Sequence, residues 1–290
     1  MEAEAIAARV WPGRPLELEQ LGGGITNHNF KVRCAGESFV LRIGGERTNL
    51  LGIDRRAEHD AARVAASLGV GPEVVAFLEP ECSLVTRFVE GGPVPLHEML
   101  RPDLLREAAG ILRRVHEGPP FPARFDSFRV VEAYREIAVE HGVALPSAYA
   151  AAKATADRIE DALGQRPEHP CHNDLLNANF VRSPDGIRIV DWEYAGMGDR
   201  FFDLANFAIN HELNGDARHA LLETYFGEVR VEDARALELM RFMSDFREAM
   251  WGVVQQAVST LDFDFAGYAR QHFERLDRTA LDPSFRRSLA

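Results

Sequence analysis

The stretch that decides the fold covers residues 172–193 and reads HNDLLNANFVRSPDGIRIVDWE. Asp174 and Asn179 lie five positions apart, and Asp191 follows twelve positions later, after an apolar segment. Phosphoryl transfer from a nucleotide needs a carboxylate facing the incoming hydroxyl, and an amide and a carboxylate that hold Mg²⁺. The pattern therefore predicts Asp174 as the general base and Asn179 and Asp191 as Mg²⁺ ligands. Each residue alone is more often structural, because Asn and Asp favour turns and caps.

The immediate neighbours of Asp174 have weaker claims to chemistry. His172 is expected to bond the loop backbone and hold Asp174 in place. A zinc site is not indicated, because no second His or Cys lies at ligand spacing and adjacent Cys171 completes no tetrahedral set. The turn Ser-Pro-Asp-Gly at 183–186 predicts a hairpin that brings Asn179 and Asp191 together.

Composition describes an ordinary globular chain of 290 residues, with 46% hydrophobic and 27% charged residues. No apolar run reaches the roughly 18 residues of a membrane helix, and the acidic N-terminus is no signal peptide, so membrane insertion is not expected. Three cysteines without metal-like spacing favour a reduced, cytoplasmic setting. The net charge of −12 argues against nucleic acid as a partner. It suits a small cationic substrate, or merely aids solubility.

The order of patterns along the chain predicts an α+β fold with two lobes. Residues 1–90 alternate as strands around one helix at 53–68, and residues 91–290 are mainly helical. Gly91-Gly92-Pro93 is interpreted as the break between a nucleotide-binding N-lobe and a C-lobe that carries the catalytic loop. Helices are predicted at 103–117, 130–141, 147–163, 203–211, 217–226, 231–261 and 265–276.

A glycine-rich turn between two N-lobe strands is the candidate phosphate loop, because glycine lets backbone N–H groups approach phosphate oxygens. Its candidate residues are Gly23, Gly24, Thr26 and Asn27. No Lys-Ser/Thr follows, and a strand rather than a helix comes next, so neither a Walker A loop nor a Rossmann fingerprint is present. Arg42 is predicted to hold nucleotide phosphates, and Glu58 to pair with Arg42. A plain hairpin and ordinary surface charges are the alternatives.

Several motifs together resemble the choline/ethanolamine kinase family, within the aminoglycoside phosphotransferase-like kinases. They are CHNDLLNAN at 171–179, DWEY at 191–194, GGITN at 23–27, RFFDLAN at 200–206, WGVVQ at 251–255 and FDFAGY at 263–268. The similarity covers nearly the whole chain. The catalytic motif is shared across the wide superfamily, whereas the tail from 251 to 268 is more specific to the choline branch.

This resemblance implies a protein-kinase-like fold and ATP- and Mg²⁺-dependent phosphorylation of a small amino alcohol. It implies that residues 86–88, with Thr86 and Phe88 at their ends, read adenine through the backbone. The residues that it implies for the alcohol are Glu193, Tyr194, Trp251 and Tyr268. Ring faces and nearby carboxylates suit a quaternary ammonium, which cannot donate a hydrogen bond. Without the resemblance, the aromatic residues would be interpreted as core.

Two positions depart from the family pattern. Glu248 stands where eukaryotic members have a further tryptophan, and Asn210 stands where they have an acidic residue. The head group therefore stays open among choline, ethanolamine, a thiamine-like cation and another amino alcohol. A kinase of aminoglycosides, homoserine or a sugar is an alternative, as is a catalytically silent binding module. Either a monomer or a homodimer is compatible with the sequence.

Overall fold

The computed structural model describes residues 2–22, 27–45 and 47–290. The N-lobe is built on an antiparallel sheet and the C-lobe is mainly helical, which confirms the predicted α+β fold with two lobes. The sheet has the strand order β1-β2-β3-β5-β4. Its strands are β1 (Glu17–Leu21), β2 (Asn27–Cys34), β3 (Glu37–Gly44), β4 (Val74–Leu78) and β5 (Ser83–Arg87).

Two helices cover the N-lobe sheet. Helix α1 (Glu2–Val10) buries Ile6 and Ala7 against the strand residues Phe39 and Leu41, which alternate toward one face. Helix α2 (Arg55–Ser67) begins at Asp54, whose carboxylate accepts hydrogen bonds from the N–H groups of residues 56 and 57. The predicted helix at 53–68 is confirmed, whereas α1 was not predicted from the sequence.

The C-lobe packs around one long helix, α9 (Val231–Val258), which contacts three of its neighbours extensively. Those three are α5 (Ser127–Glu140), α7 (Arg200–Asn210) and α10 (Phe265–Leu281). The remaining C-lobe helices are α3 (Leu96–Met99), α4 (Pro102–His116), α6 (Tyr149–Leu163), α8 (Gly215–Phe226) and α11 (Pro283–Leu289). The seven predicted C-lobe helices are present with ends shifted by a few residues, and α3 and α11 were not predicted.

Short strands hold the catalytic segment between α6 and α7. A three-stranded sheet has the order β6 (Gly92–Pro93), β8 (Phe180–Ser183) and β9 (Gly186–Ile189). Strand β7 (His169–Cys171) pairs with β10 (Gly196–Gly198). Residues 183 and 186 pair at the end of the β8–β9 hairpin, as the turn sequence predicted.

Gly91 is required by the approach of this hairpin to the preceding chain. Its φ is +140°, and a Cβ there would lie 1.9 Å from the carbonyl oxygen of Arg182. The two residues that follow pair with β8, so the chain joins the C-lobe sheet immediately after Gly91. The division into domains at residue 90 stays a prediction. Across the described ranges, no helix is long and apolar enough to cross a membrane.

Candidate active site

Helix α7 holds the catalytic loop, residues 172–179, through side-chain hydrogen bonds to the loop backbone. Asp203 accepts hydrogen bonds from the backbone N–H groups of His172 and Asn173, at 2.7 and 2.6 Å. Asn206, one helical turn further on, accepts the N–H of Leu175 at 2.5 Å. Because residues three apart lie on one helical face, both side chains reach the same loop. Asn173 has a φ of +67°, a left-handed conformation that these bonds hold in place.

His172 supports Asp174 through its neutral ring. Its Nδ1 lies 3.2 Å from the backbone N–H of Asp174, which needs an acceptor, and its Nε2 lies 3.0 Å from the carbonyl oxygen of Val190. This pairing requires the proton on Nε2 alone, and burial lowers the pKa of His172 accordingly. His172 therefore holds the loop in place, as its position in the sequence predicted.

Asp174 is buried at the floor of the site. Burial raises the pKa of its carboxyl to about 7, and Glu248 and Asp191 act in the same direction, against the opposing effect of Arg247. Arg247 donates from Nη2 to Oδ1 of Asp174 at 2.9 Å and also to the carbonyl of Asn173. The carboxylate is consequently fixed in orientation and able to exchange a proton near neutral pH.

Asn179 and Asp191 are brought together by the β8–β9 hairpin, because the N–H of Val190 donates to the carbonyl of Asn179 at 3.0 Å. The Nδ2 of Asn179 donates to the carbonyl of Asp174 at 2.8 Å, and no hydrogen bond to its Oδ1 occurs within the described ranges. Asp191 has a φ of +68° and a side chain 25% exposed. One amide oxygen and one accessible carboxylate form a donor set that fits Mg²⁺.

Arg42 links the N-lobe sheet to this pair. Its Nη1 lies 2.6 Å from Oε1 of Glu58 and 2.7 Å from Oδ1 of Asp191. The predicted pair between Arg42 and Glu58 is therefore present. Burial disfavours the charged guanidinium, but Asp191 and Glu58 outweigh it and raise the pKa of Arg42. A permanent cation thus lies beside the carboxylate predicted to hold the metal.

A second polar bridge joins the lobes at Glu193. Its Oε2 accepts hydrogen bonds from Nδ2 of Asn27 at 2.8 Å and from Nη1 of Arg55 at 3.0 Å. Arg55 also donates to Oδ1 of Asn27 at 2.6 Å and to Glu58 at 2.7 Å. These contacts direct Glu193 toward the N-lobe, so its role in binding the alcohol stays a prediction without added support. The side chain of Asn27 is likewise already engaged.

The remaining residues predicted to bind the nucleotide lie in the glycine-rich turn and in the segment 86–88. Gly23, Gly24 and Thr26 lie outside the described residues. Thr86 is internal to β5 and is paired with both neighbouring strands. The N–H of Phe88 donates to the carbonyl of Ser38 at 3.0 Å, so Phe88 could contact adenine through its carbonyl but not its N–H without breaking this bond.

The three predicted aromatic residues come together as one aromatic cluster, formed by Tyr194, Trp251 and Tyr268. Nε1 of Trp251 donates to the hydroxyl of Tyr194 at 3.1 Å, and the ring of Trp251 meets that of Tyr268 edge to face at 5.5 Å. Gly252 permits this approach of α9 and α10, because a Cβ there would lie 2.9 Å from the Tyr268 ring. Their function in substrate binding stays a prediction.

Two charged residues of α9, Arg247 and Glu248, connect the aromatic cluster to Asp174. The hydroxyl of Tyr268 donates to Oε2 of Glu248 at 2.7 Å, and Oε1 of Glu248 lies 2.9 Å from Nη1 of Arg247. The Arg247 guanidinium also lies 5.1 Å from the Tyr194 ring. Sequence reasoning missed Arg247, although a charged pair inside the apolar stretch 242–254 is a signal of a buried polar site.

A further group of metal-type donors lies beneath the loop. It consists of His116, Cys171 and Asp203, all buried. His116 already contacts Asp203 through Nε2 at 3.0 Å and the hydroxyl of Tyr225 through Nδ1 at 2.7 Å. Because both oxygens of Asp203 also accept loop N–H groups, this group supports the loop and does not fit a metal.

Comparisons with known proteins agree with this geometry. A family model described as the phosphotransferase enzyme family matches residues 17–239. The crystal structure of a choline/ethanolamine kinase family protein from Mesorhizobium loti superposes with a TM-score of 0.83 at 32% identity, covering 99% of this chain and 97% of that one. The chain belongs to the choline/ethanolamine kinase family. The resemblance predicted from the sequence motifs is thereby confirmed.

Two curated relatives of this choline/ethanolamine kinase family member are similar at lower identity. Protein LicA from Haemophilus influenzae is 28% identical over 255 residues, covering 81% of this chain and 72% of LicA. Ethanolamine kinase 1 from Mus musculus is 24% identical over 313 residues, covering 91% of this chain and 84% of that protein. The protein is thus a phosphotransferase of the choline/ethanolamine kinase type.

Proposed function

We propose that this chain transfers the γ-phosphoryl group of ATP, with Mg²⁺, to the hydroxyl of choline or a closely related small amino alcohol. The observation that carries the proposal is the continuous line of contacts from Asp174 through Arg247 and Glu248 to the aromatic cluster. This line joins the two features that an amino alcohol needs, a base for its hydroxyl and rings with negative charge for its ammonium.

Asp174 is the base in this proposal. The acceptor oxygen forms a bond to the γ-phosphorus, the bond from that phosphorus to the ADP oxygen breaks, and the hydroxyl proton passes to Asp174. Although burial raises the pKa of Asp174 to about 7, a substantial share of the carboxyl is still ionised at neutral pH and can accept a proton. Arg247 donates to the carboxylate and His172 accepts from the backbone N–H of Asp174, so both the side chain and the backbone of the base are held in place.

The nucleotide side of the reaction is assigned to residues at the lobe interface. Asn179 and Asp191 would hold Mg²⁺, which when bound neutralises charge on the phosphates. Arg42 lies beside Asp191 and would reach the same phosphates from β3. The glycine-rich turn at 23–27 and the segment 86–88 keep their predicted roles in binding phosphate and adenine.

Replacement of the base provides the direct test. We expect Asp174→Asn to lower kcat for phosphorylation of choline or ethanolamine by about 10²- to 10⁴-fold, because Asn cannot accept the proton. The measurement is ADP formation by the purified full chain with ATP and Mg²⁺. Asp185→Asn, on the exposed hairpin turn, makes the same chemical change away from the site and should retain wild-type turnover.

Near-normal turnover of a folded Asp174→Asn variant would exclude Asp174 as the base. Absence of turnover by the wild-type chain with choline, ethanolamine and their methylated intermediates would contradict the proposed acceptor class itself.

A further inference from the structure

The buried pair of Arg247 and Glu248 lies beside the aromatic cluster, where the proposed function places the head group of the acceptor. Arg247 is 1% exposed and Glu248 is 2% exposed. Arg247 makes ion pairs with Asp174 and Glu248, each at 2.9 Å. Removing three ionised groups from water is costly unless each is compensated. Any function assigned to this region has to account for these charges.

The charges do not cancel within the protein. Two carboxylates, Asp174 and Glu248, face one guanidinium, so with all three groups ionised the site carries an excess of one negative charge. Among the described residues, Arg247 is the only ion-pair partner of either carboxylate. Burial makes an uncompensated carboxylate unfavourable, so the site favours a ligand with one positive charge.

The hydrogen bonds of Glu248 are also incomplete. Oε2 accepts the hydroxyl of Tyr268, whereas Oε1, although 2.9 Å from Nη1 of Arg247, is buried without an aligned hydrogen-bond donor in the described part of the chain. A carboxylate oxygen accepts hydrogen bonds readily, and leaving it unsatisfied when buried costs stability. A ligand that brings an N–H group supplies what this oxygen lacks.

Glu248 and the aromatic cluster belong to one wall of the site. Trp251 follows Glu248 by three residues on α9, which places the two side chains on the same helical face. Tyr268 touches both of them, through its hydroxyl and through its ring. An ammonium group beside these rings therefore lies within reach of the Glu248 carboxylate.

On the basis of the function proposed above, we infer that Glu248 determines acceptor specificity by accepting a hydrogen bond from an ammonium N–H. The preferred acceptors are then amino alcohols whose nitrogen keeps at least one hydrogen. A quaternary ammonium satisfies the charge of the site but leaves Oε1 of Glu248 without a donor. Ethanolamine and its N-methylated forms are consequently better acceptors than choline.

A methylation series tests this inference in the wild-type chain. The acceptors are ethanolamine, N-methylethanolamine, N,N-dimethylethanolamine and choline, which lose one N–H at each step while the positive charge is kept. We expect kcat/KM to fall by about tenfold or more at the last step, mainly through KM, since a hydrogen bond to a charged group is worth roughly that factor. Equal or better use of choline would overturn the inference.

Variants at Glu248 connect the preference to this residue. Glu248→Met keeps the side-chain length without an acceptor oxygen, and we expect the ratio of kcat/KM for ethanolamine to that for choline to approach one. Glu248→Gln should give an intermediate ratio, because a neutral oxygen accepts a weaker hydrogen bond. Glu274→Gln, exposed on α10, is the matched control and should keep the wild-type ratio.

The ratio of kcat/KM for ethanolamine to that for choline tests the role of Glu248 separately from the kinase activity itself. A general loss of turnover through Arg247 and Asp174 affects all four acceptors equally and cancels. If the Met variant fails to fold, the Gln variant and the wild-type series still decide. Phosphorylation of every acceptor with the wild-type ratio kept in a Glu248 variant would refute Glu248 as the determinant and leave the kinase activity intact. Absence of phosphorylation throughout would refute the proposed function.

Discussion

Arg247 lies between the proposed base, Asp174, and Glu248 beside the aromatic cluster. It is almost fully buried, donates to Asp174 and to the carbonyl of Asn173, and pairs with Glu248. A guanidinium suits this position because it stays charged and presents several donors in a fixed plane. Without it, two buried carboxylates would face each other with no cation between them.

Replacement of Arg247 should therefore lower turnover more than nucleotide binding. We expect Arg247→Met to lower kcat by about 10- to 100-fold while KM for ATP changes less than about twofold, because Asp174 loses the bond that orients it. Arg247→Lys should recover part of kcat, since the ammonium restores charge without the forked geometry. Steady-state kinetics and thermal unfolding are the measurements.

The control for Arg247 is Arg270→Met, on the exposed side of α10. If Arg247 had only a general structural role, Arg247→Met would lower thermal stability without a selective fall in kcat. A folded Arg247→Met variant with wild-type kcat would show that Asp174 is oriented adequately by His172 and the loop backbone alone.

Single residues of the catalytic segment were predictable because their chemistry is local in sequence. Asn179 and Asp191 flank the two strands of the β8–β9 hairpin, and Asp174 lies in the loop just before it, so hydrogen bonds of this short segment bring the three together. Arg247 was not predictable in the same way. Its partners lie 73 and 74 residues earlier in the chain, so they depend on how α9 packs against the loop.

At the scale of elements, α7 acts as the support of the catalytic loop. The side chains of Asp203 and Asn206 accept hydrogen bonds from the backbone N–H groups of residues 172, 173 and 175. A neighbouring strand would supply such acceptors in a sheet. Asn206 is itself fixed by a 2.9 Å hydrogen bond to Ser244 of α9. The loop is thereby tied to two helices of the C-lobe, which suits the role proposed for Asp174 as a base that must be held in position.

Removal of one anchor should loosen the loop while the fold persists. We expect Asn206→Ala to lower the free energy of unfolding by about 1–3 kcal/mol, because the buried N–H of Leu175 is left without a partner. Turnover should fall as well, since Asp174 adjoins Leu175. Urea unfolding and kcat are the measurements, with exposed Asn49→Ala as control. Wild-type kcat in the Asn206→Ala variant would contradict the supporting role.

Elements differed in how well local sequence predicted them. Helices α4, α7 and α10 have clear apolar periodicity and the β8–β9 hairpin has a turn signal, and all four are present. Helix α1 was not predicted because its buried face is short and contains only one large apolar residue, Ile6, beside Ala3 and Ala7. Its position depends on the sheet face formed by β2, β3 and β5, which no local pattern specifies.

At the scale of the whole molecule, polar bridges tie the two lobes together. Arg42 contacts Asp191 across 149 positions of sequence, and Asn27 contacts Glu193 across 166. Such pairs could not be predicted from spacing, because they depend on how the two lobes pack against each other. The family resemblance implies that Glu193 binds the alcohol, whereas the hydrogen bonds described for Glu193 are with Asn27 and Arg55 of the N-lobe.

The stability of the whole molecule should depend on pH through buried His211. His211 follows the last residue of α7, and the centroid of its ring lies 4.9 Å from that of Phe180 in β8 and 4.2 Å from that of Phe207. Burial lowers its pKa to about 4, against the weaker opposing effect of a bond to the carbonyl of Phe207. In the unfolded chain an ordinary histidine has a pKa of about 6.5. The unfolded state therefore binds the proton first as the pH falls.

The sign of the effect follows from that difference. The stability that neutral His211 contributes is fully present above about pH 6.5 and is lost as the pH falls toward 4, by about 3 kcal/mol in total. We expect His211→Gln to remove this dependence, so that the difference in unfolding free energy between wild type and variant shrinks or reverses as the pH is lowered. Urea unfolding at several pH values measures the difference, and exposed His219→Gln should track the wild type throughout. A wild-type-to-variant difference that is constant with pH would mean that His211 is protonated alike in the folded and unfolded chains.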